Sequence, residues 1–239
     1  MGTSSLTQSA SDRYARATGP VHTIFVVAVL AVWAFAGNTL ADRLIAVVNP
    51  HRIRFYIVTL LFEWLLFVFV VAGVRHNGAS VLLVLGDHWH SARQVLRDIG
   101  IAVAFWIVSA TFLSIMGSLL SFTAPGRNME FILPHRVSEL TIWIALSVTA
   151  GICEEAVFRG YLQRQFIVLT KSVPFGILLS AAAFGVGHAY QGFRLVVLIS
   201  LYGAMFGILA HWRKSVRPGM IAHAWQDSLN GVTAILMSR

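Results

Sequence analysis

The chain has 239 residues, of which 57% are hydrophobic and 12% are charged, and its formal net charge is +8. Soluble domains are about 45–50% apolar and about 25% charged, so this composition excludes a disordered chain and argues against a soluble globule. The single cysteine, Cys153, excludes a disulfide-stapled secreted module. The basic residues fall singly between apolar runs, as they do in membrane loops, which predicts a lipid bilayer and no nucleic acid as partner.

The apolar runs predict an all-α bundle of about seven transmembrane helices, because a span needs about 20 apolar residues. After a polar tail at residues 1–20, which is predicted to be disordered, the spans are expected at 21–37, 55–74, 100–122, 138–169, 173–190, 193–212 and 216–237. The alternating segments of membrane β-barrels are not found in the sequence. Two regions follow the tail: an accessory transmembrane region at 21–137 and a core at 138–239.

The segment near 79–97, between the second and third predicted spans, mixes apolar and charged residues. Leu85, Trp89 and Leu96 could face lipid while Asp87 and Arg93 face water, which favours an interfacial helix lying flat on the membrane. A solvated loop with a short helix explains the same pattern equally well.

Ionisable residues inside the predicted spans point to function, because each costs roughly 2.5–3.5 kcal/mol at the bilayer centre. In the core they form three groups: Glu154, Glu155 and Arg159 in the fourth span, His188 in the fifth, and His223 with Asp227 in the seventh. Glu155 and Arg159 are four residues apart and can pair on one helix face. Glu154 is rotated about 100° from Glu155 and is left to act on a water molecule.

Each group also has a purely structural explanation. His188 could hydrogen-bond a neighbouring helix, and Glu155 could form a packing ion pair with Arg159. Asp227 could accept a hydrogen bond from His223. The joint occurrence of all these residues in three spans is what favours a site. Glu63, in the second span, has no recognisable partner at helical spacing and is predicted to be structural.

The chemistry open to this set is limited. The sequence contains no GxSxG serine elbow and no HExxH zinc-binding helix. A glutamate in apolar surroundings can take a proton from water, and histidines can orient that water or donate to an oxyanion. The set therefore predicts hydrolysis of a carbonyl by activated water. A divalent metal such as zinc, held by Glu154, His188 and His223, is the open alternative.

The three blocks resemble the motifs of the CPBP family, the intramembrane glutamic proteases that include CAAX proteases and bacteriocin-processing enzymes. The family carries EExxxR, FxxxH and HxxxN or HxxxD, in that order. In this sequence the blocks begin at Glu154, at Phe184 and at His223. The resemblance covers roughly residues 138–237, so the core at 138–239 would be the protease.

The resemblance implies a role for each motif residue. Glu154 would be the general base on the attacking water, and His188 would help to hold that water. His223 and Asp227 would stabilise the oxyanion or orient the group that does. The supporting residues would be the Glu155–Arg159 pair and Phe184, packed beside the site. The last position is generally Asn in prenyl-processing members, and an ionised Asp cannot donate a hydrogen bond as Asn can.

The expected function is therefore an intramembrane endopeptidase that cleaves a membrane-associated peptide or protein. A silent membrane scaffold or immunity protein, and a proton-coupled transporter, are the alternatives. The distribution of basic residues in loops favours a cytoplasmic N-terminus, in a bacterial cell membrane. We expect Glu154, His188, His223 and Asp227 to converge on one polar cavity nearer the cytoplasmic face, and Arg159 to pair with Glu155 rather than Glu154.

Overall fold

A computed structural model describes residues 16–45, 51–119 and 131–237 of the chain, and these form an all-α bundle without strands. The helices are α1 (Pro20–Ile45), α2 (Arg52–His76), α3 (Leu82–Leu85), α4 (Ala92–Leu119), α5 (Val137–Glu154), α6 (Gln163–Thr170), α7 (Val173–Gly187), α8 (Phe193–Arg213) and α9 (Arg217–Met237). A π-helix, Glu155–Leu162, joins α5 to α6, and a 3₁₀ turn, Ala189–Gln191, joins α7 to α8. The predicted fold class is confirmed.

Five helical segments are long and apolar enough to cross a membrane. They are Pro20–Arg43, Arg52–His76, Ala92–Leu119, Val137–Thr170 and Phe193–Arg213. The chain is therefore an integral membrane protein. The other two predicted spans are also helical, but α7 has only 15 residues, and α9 carries the polar residues of the third motif.

The end of the N-terminal tail is ordered, contrary to the prediction for residues 1–20. Residues 1–15 lie outside the described part of the chain. Ala17 and Thr18 are buried, and the Ala17 N–H donates to Gln165 Oε1 at 3.0 Å. The Thr18 hydroxyl lies 2.6 Å from the Tyr161 hydroxyl. These contacts fix the chain just before α1, because buried polar groups need partners.

The segment near 79–97 is a short helix and a loop, so the prediction of one interfacial helix there is wrong. The single turn α3 ends at Gly86, whose φ of 80° lies in the left-handed region. The chain then runs without helix to Ser91, and Ala92 begins α4. Glycine adopts this backbone conformation without steric cost, so it can end the turn that the apolar residues begin.

Helices α5 and α9 pack closely and antiparallel, which places the first and third motifs side by side. Gly151 lies against Ala224, and Gly231 lies against the ring of Trp143. A Cβ built on Gly151 would stand 2.9 Å from the Ala224 Cβ and 2.7 Å from the Met220 carbonyl oxygen. Small residues allow such close helix approach in membranes.

We expect Gly151→Ala to destabilise the protein by roughly 1–3 kcal/mol, because the added methyl group meets backbone atoms of α9 that cannot rotate away. Thermal unfolding in detergent measures the effect. Gly117→Ala in α4 is the matched control, since a Cβ there meets no atom within 4 Å. Equal melting temperatures for the two variants would contradict the tight α5–α9 contact.

Candidate active site

His223 is the centre of the polar cluster between α5 and α9. Its Nδ1 lies 3.1 Å from Glu155 Oε1. Its Nε2 lies 3.6 Å from Glu154 Oε2 and 3.5 Å from Asp227 Oδ2. The ring stacks on Phe206 at a centroid distance of 5.5 Å. Three carboxyl groups therefore surround one imidazole, and the hydrogen bond between Nδ1 and Glu155 fixes its orientation.

Arg159 pairs with Glu155, as the four-residue spacing predicted. Its Nη1 lies 2.9 Å from Glu155 Oε1, and both side chains are 1% exposed. The guanidinium also lies over the ring of Phe184, with its central carbon 4.0 Å from the centroid. Aromatic faces attract cations, most strongly in desolvated sites. Phe184 thus packs beside the site, and the Glu155 charge is balanced.

Glu154 and Glu155 are adjacent in the chain but have different surroundings. The Glu155 side chain is 1% exposed and contacts Arg159 and His223. The Glu154 side chain is 17% exposed and lines a cavity. The π-helix begins at Glu155, immediately after Glu154. Such wide turns occur often at functional sites, and nothing in the sequence pattern predicted one here.

His188 directly follows the last residue of α7 and lines the same cavity. Its Nδ1 lies 2.8 Å from the Phe184 carbonyl oxygen, which accepts a hydrogen bond when Nδ1 carries the proton. The other nitrogen, Nε2, is then the one that can accept from a ligand or from water. Phe184 lies edge-on to both His188 and His223, at 4.8 Å and 6.0 Å between centroids.

The cavity has a volume of about 730 Å³, and Glu154, His188, His223 and Asp227 all line it. Their predicted convergence is confirmed, but the cavity is not the polar one that was predicted. Most of the remaining wall is apolar and aromatic, with contributions from Trp33, Phe55, Phe62, Trp143, Tyr190 and Tyr202. Along α9 the lining runs from His223 to Met237, which is about 21 Å at 1.5 Å per residue. One end of the cavity therefore lies at His223, near the start of α9. From there the cavity extends toward the C-terminal end of that helix.

Several residues of the site lie outside the motifs. The Trp143 indole donates to the Asp227 carbonyl oxygen at 2.7 Å, which holds α9 against α5. Tyr190, in the 3₁₀ turn, lines the cavity beside His188. Glu63 also lines the cavity. In the sequence, only the presence of a charged residue within an apolar span indicated that Glu63 could belong to the site.

The geometry does not assemble the predicted alternative metal site. Within the described residues, no group of three or more His, Cys, Asp or Glu side chains is placed to hold a metal ion. Glu154 and His223 are close, but His188 does not complete a ligand set with them. The residues present thus do not fit a resident zinc ion in this arrangement.

Comparison with known proteins supports the resemblance inferred from the motifs. Residues 136–229 match the family model described as Type II CAAX prenyl endopeptidase Rce1-like, which belongs to the CPBP family. The match includes all three motifs, and therefore His223 together with Glu154, Glu155 and Asp227 around it. No curated protein and no solved structure matches the chain.

Proposed function

We propose that this protein is an intramembrane endopeptidase that hydrolyses a peptide bond of a membrane-associated substrate with water activated by Glu154. The observation that carries the proposal is the difference between the two neighbouring glutamates. Glu155 is neutralised by Arg159 at 2.9 Å, whereas Glu154 faces the cavity beside His223 Nε2. A carboxylate in a largely apolar cavity is suited to take a proton from water.

The proposed reaction proceeds in two steps. The water oxygen attacks the substrate carbonyl carbon while Glu154 takes its proton, which gives a tetrahedral oxyanion. His188 helps to hold the water, and the Nε2–H of His223, which faces Asp227 before the reaction, donates a hydrogen bond to the oxyanion. The carbon–nitrogen bond then breaks, and the proton on Glu154 passes to the departing amine. The products are a carboxylic acid and an amine, and the carboxylate of Glu154 is restored.

Asp227 acts through His223 in this mechanism. Its Oδ2 lies 3.5 Å from His223 Nε2, so an acceptor at this position orients the imidazole. We expect Asp227→Asn to keep activity within about tenfold of wild type, because the amide oxygen can still accept. Asp227→Ala removes that acceptor and should cost about 10²-fold, the scale of a lost oxyanion-stabilising contact. Initial rates on one peptide substrate measure both variants, and equal losses would contradict the orienting role.

The substrate enters the active site within the bilayer, in this proposal. The core at 138–239 supplies the reacting residues, and the accessory region at 21–137 supplies part of the cavity wall, including Trp33 and Phe62. We propose a cytoplasmic N-terminus in a bacterial cell membrane, from the distribution of basic loops.

The test compares membranes of cells that produce the wild-type chain with membranes of cells that produce Glu154→Gln. We expect one or more membrane-associated precursors to accumulate with the variant and to be cleaved when purified wild-type protein is added. The cleavage is repeated with EDTA, and we expect it to persist, because the described residues gather no metal-ligand set. If no precursor accumulates and none is cleaved, a scaffold or a transporter is the better explanation.

A further inference from the structure

Glu63 is a carboxyl group of the cavity that belongs to none of the three motifs. It lies on α2, is 7% exposed, and lines the cavity together with Glu154 and Asp227. Its Oε2 is buried and has no hydrogen-bond partner among the described residues. A buried carboxyl oxygen is unfavourable without a partner, so a ligand that donates to it gains affinity. This oxygen is the reason to revise the structural role that the sequence predicted.

Three carboxyl groups line the cavity, and few cationic groups face them. The Arg159 guanidinium is committed to Glu155 and lies outside the lining. His223 can carry one positive charge and is shared by Glu154 and Asp227. In the described lining there is no lysine or arginine beside Glu63. A bound cation would favour the ionised form of Glu63, because opposite charges attract strongly where water is excluded.

The cavity wall near Glu63 suits a ligand with an apolar body. Trp33 and Phe62 stack on each other with centroids 3.8 Å apart, and both line the cavity. Aromatic faces attract cations as well as apolar groups. The volume of about 730 Å³ lies in the range of sites that enclose a small organic ligand or a short peptide. The occupant that fits is an apolar segment that carries one cationic group.

We infer that Glu63 selects the substrate: it binds a lysine, an arginine or an amine that the apolar substrate segment carries close to the bond that is cleaved. The inference rests on the proposed function for the position of that bond, but the binding itself can be tested without cleavage. Glu154 carries out the reaction, and Glu63 determines which segment is held.

The test measures binding of two peptides to the full-length protein in nanodiscs of zwitterionic lipid. One peptide is acetyl-Leu-Phe-Lys-Phe-amide, and the other has norleucine, which lacks the charge, in place of lysine. We expect wild type to bind the lysine peptide about tenfold more tightly or better, the scale of a charge-assisted hydrogen bond. Glu63→Gln should reduce the ratio to about one. Glu63→Asp, which keeps the charge, should retain a preference for lysine.

The control is Glu139→Gln, which changes another buried glutamate outside the cavity lining. It should keep the wild-type preference. Equal affinities in wild type, or a preference that survives Glu63→Gln, would overturn the inference. Cleavage without a preference for lysine would overturn this inference alone, whereas a preference for lysine without any cleavage would overturn the proposed function alone. Melting temperatures are recorded for each variant, and Glu63→Ala, which also removes the carboxyl group and should also reduce the ratio to about one, replaces Glu63→Gln if that variant does not fold.

Discussion

Glu154→Gln should abolish peptide hydrolysis while the protein still folds. The amide keeps the shape of the side chain but cannot take a proton from water, and the loss of a general base costs at least about 10²-fold in rate. Little stability should be lost, because the Glu154 side chain is 17% exposed to the cavity and makes no short ion pair. Initial rates and melting temperatures of the purified proteins measure the two effects.

Glu139→Gln is the control for Glu154→Gln on the same helix. Glu139 Oε2 accepts the His135 N–H at 2.7 Å near the start of α5, and a glutamine oxygen can accept the same bond. Its rate should therefore equal that of wild type. A Glu154→Gln protein that cleaves at nearly the wild-type rate would refute the glutamic mechanism.

Arg159→Ala should lower both the amount of folded protein and its activity. The substitution leaves the Glu155 carboxylate buried without its cation, and breaking a buried pair in this way typically costs about 3–5 kcal/mol. It also removes the cation that packs on the Phe184 ring. Protein abundance in membranes and the melting temperature in detergent measure the loss.

A second substitution separates charge from packing at this pair. In an Arg159→Met background, Glu155→Gln removes the uncompensated charge, so part of the lost stability should return. Activity should stay low, because the glutamine oxygen can still accept from His223 Nδ1, at 3.1 Å from Glu155 Oε1, but no longer places a negative charge beside it. A fully abundant Arg159→Ala protein with a wild-type melting temperature would contradict the structural role of the pair.

The sequence predicted the contacts that follow from helical periodicity. The Glu155–Arg159 pair depends only on four-residue spacing within one helix, and it is present at 2.9 Å. The convergence of His188 and His223 could also be predicted, because polar side chains in separate spans avoid lipid by sharing one cavity. The family motifs added the order and the suggested roles.

Other features depend on contacts between distant segments and could not be predicted. The π-helix after Glu154 is buried along its whole length, and Ser180 of α7 donates to its Phe158 carbonyl at 2.7 Å. A hydrogen bond between two helices depends on how they pack, so the sequence pattern of either helix does not predict it. The short α3 depends on the backbone at Gly86, whereas its apolar residues alone fit a longer helix. Glu63 has its neighbours on α5 and α9, so spacing within its own span gave no signal.

The ordered end of the N-terminal tail bears on how the protein should be produced in the laboratory. Residues such as Thr18 lie ahead of the first span, and trimming them would be a routine choice in preparing a shorter version for crystallisation. The Gln165 amide donates to the Thr18 carbonyl and to the Thr23 hydroxyl. The Tyr161 hydroxyl hydrogen-bonds to the hydroxyls of the same two threonines. Gln165 and Tyr161 lie on the continuous helical segment that carries Glu154. Shortened versions should therefore begin before residue 17, and affinity tags should be separated from that point by a linker.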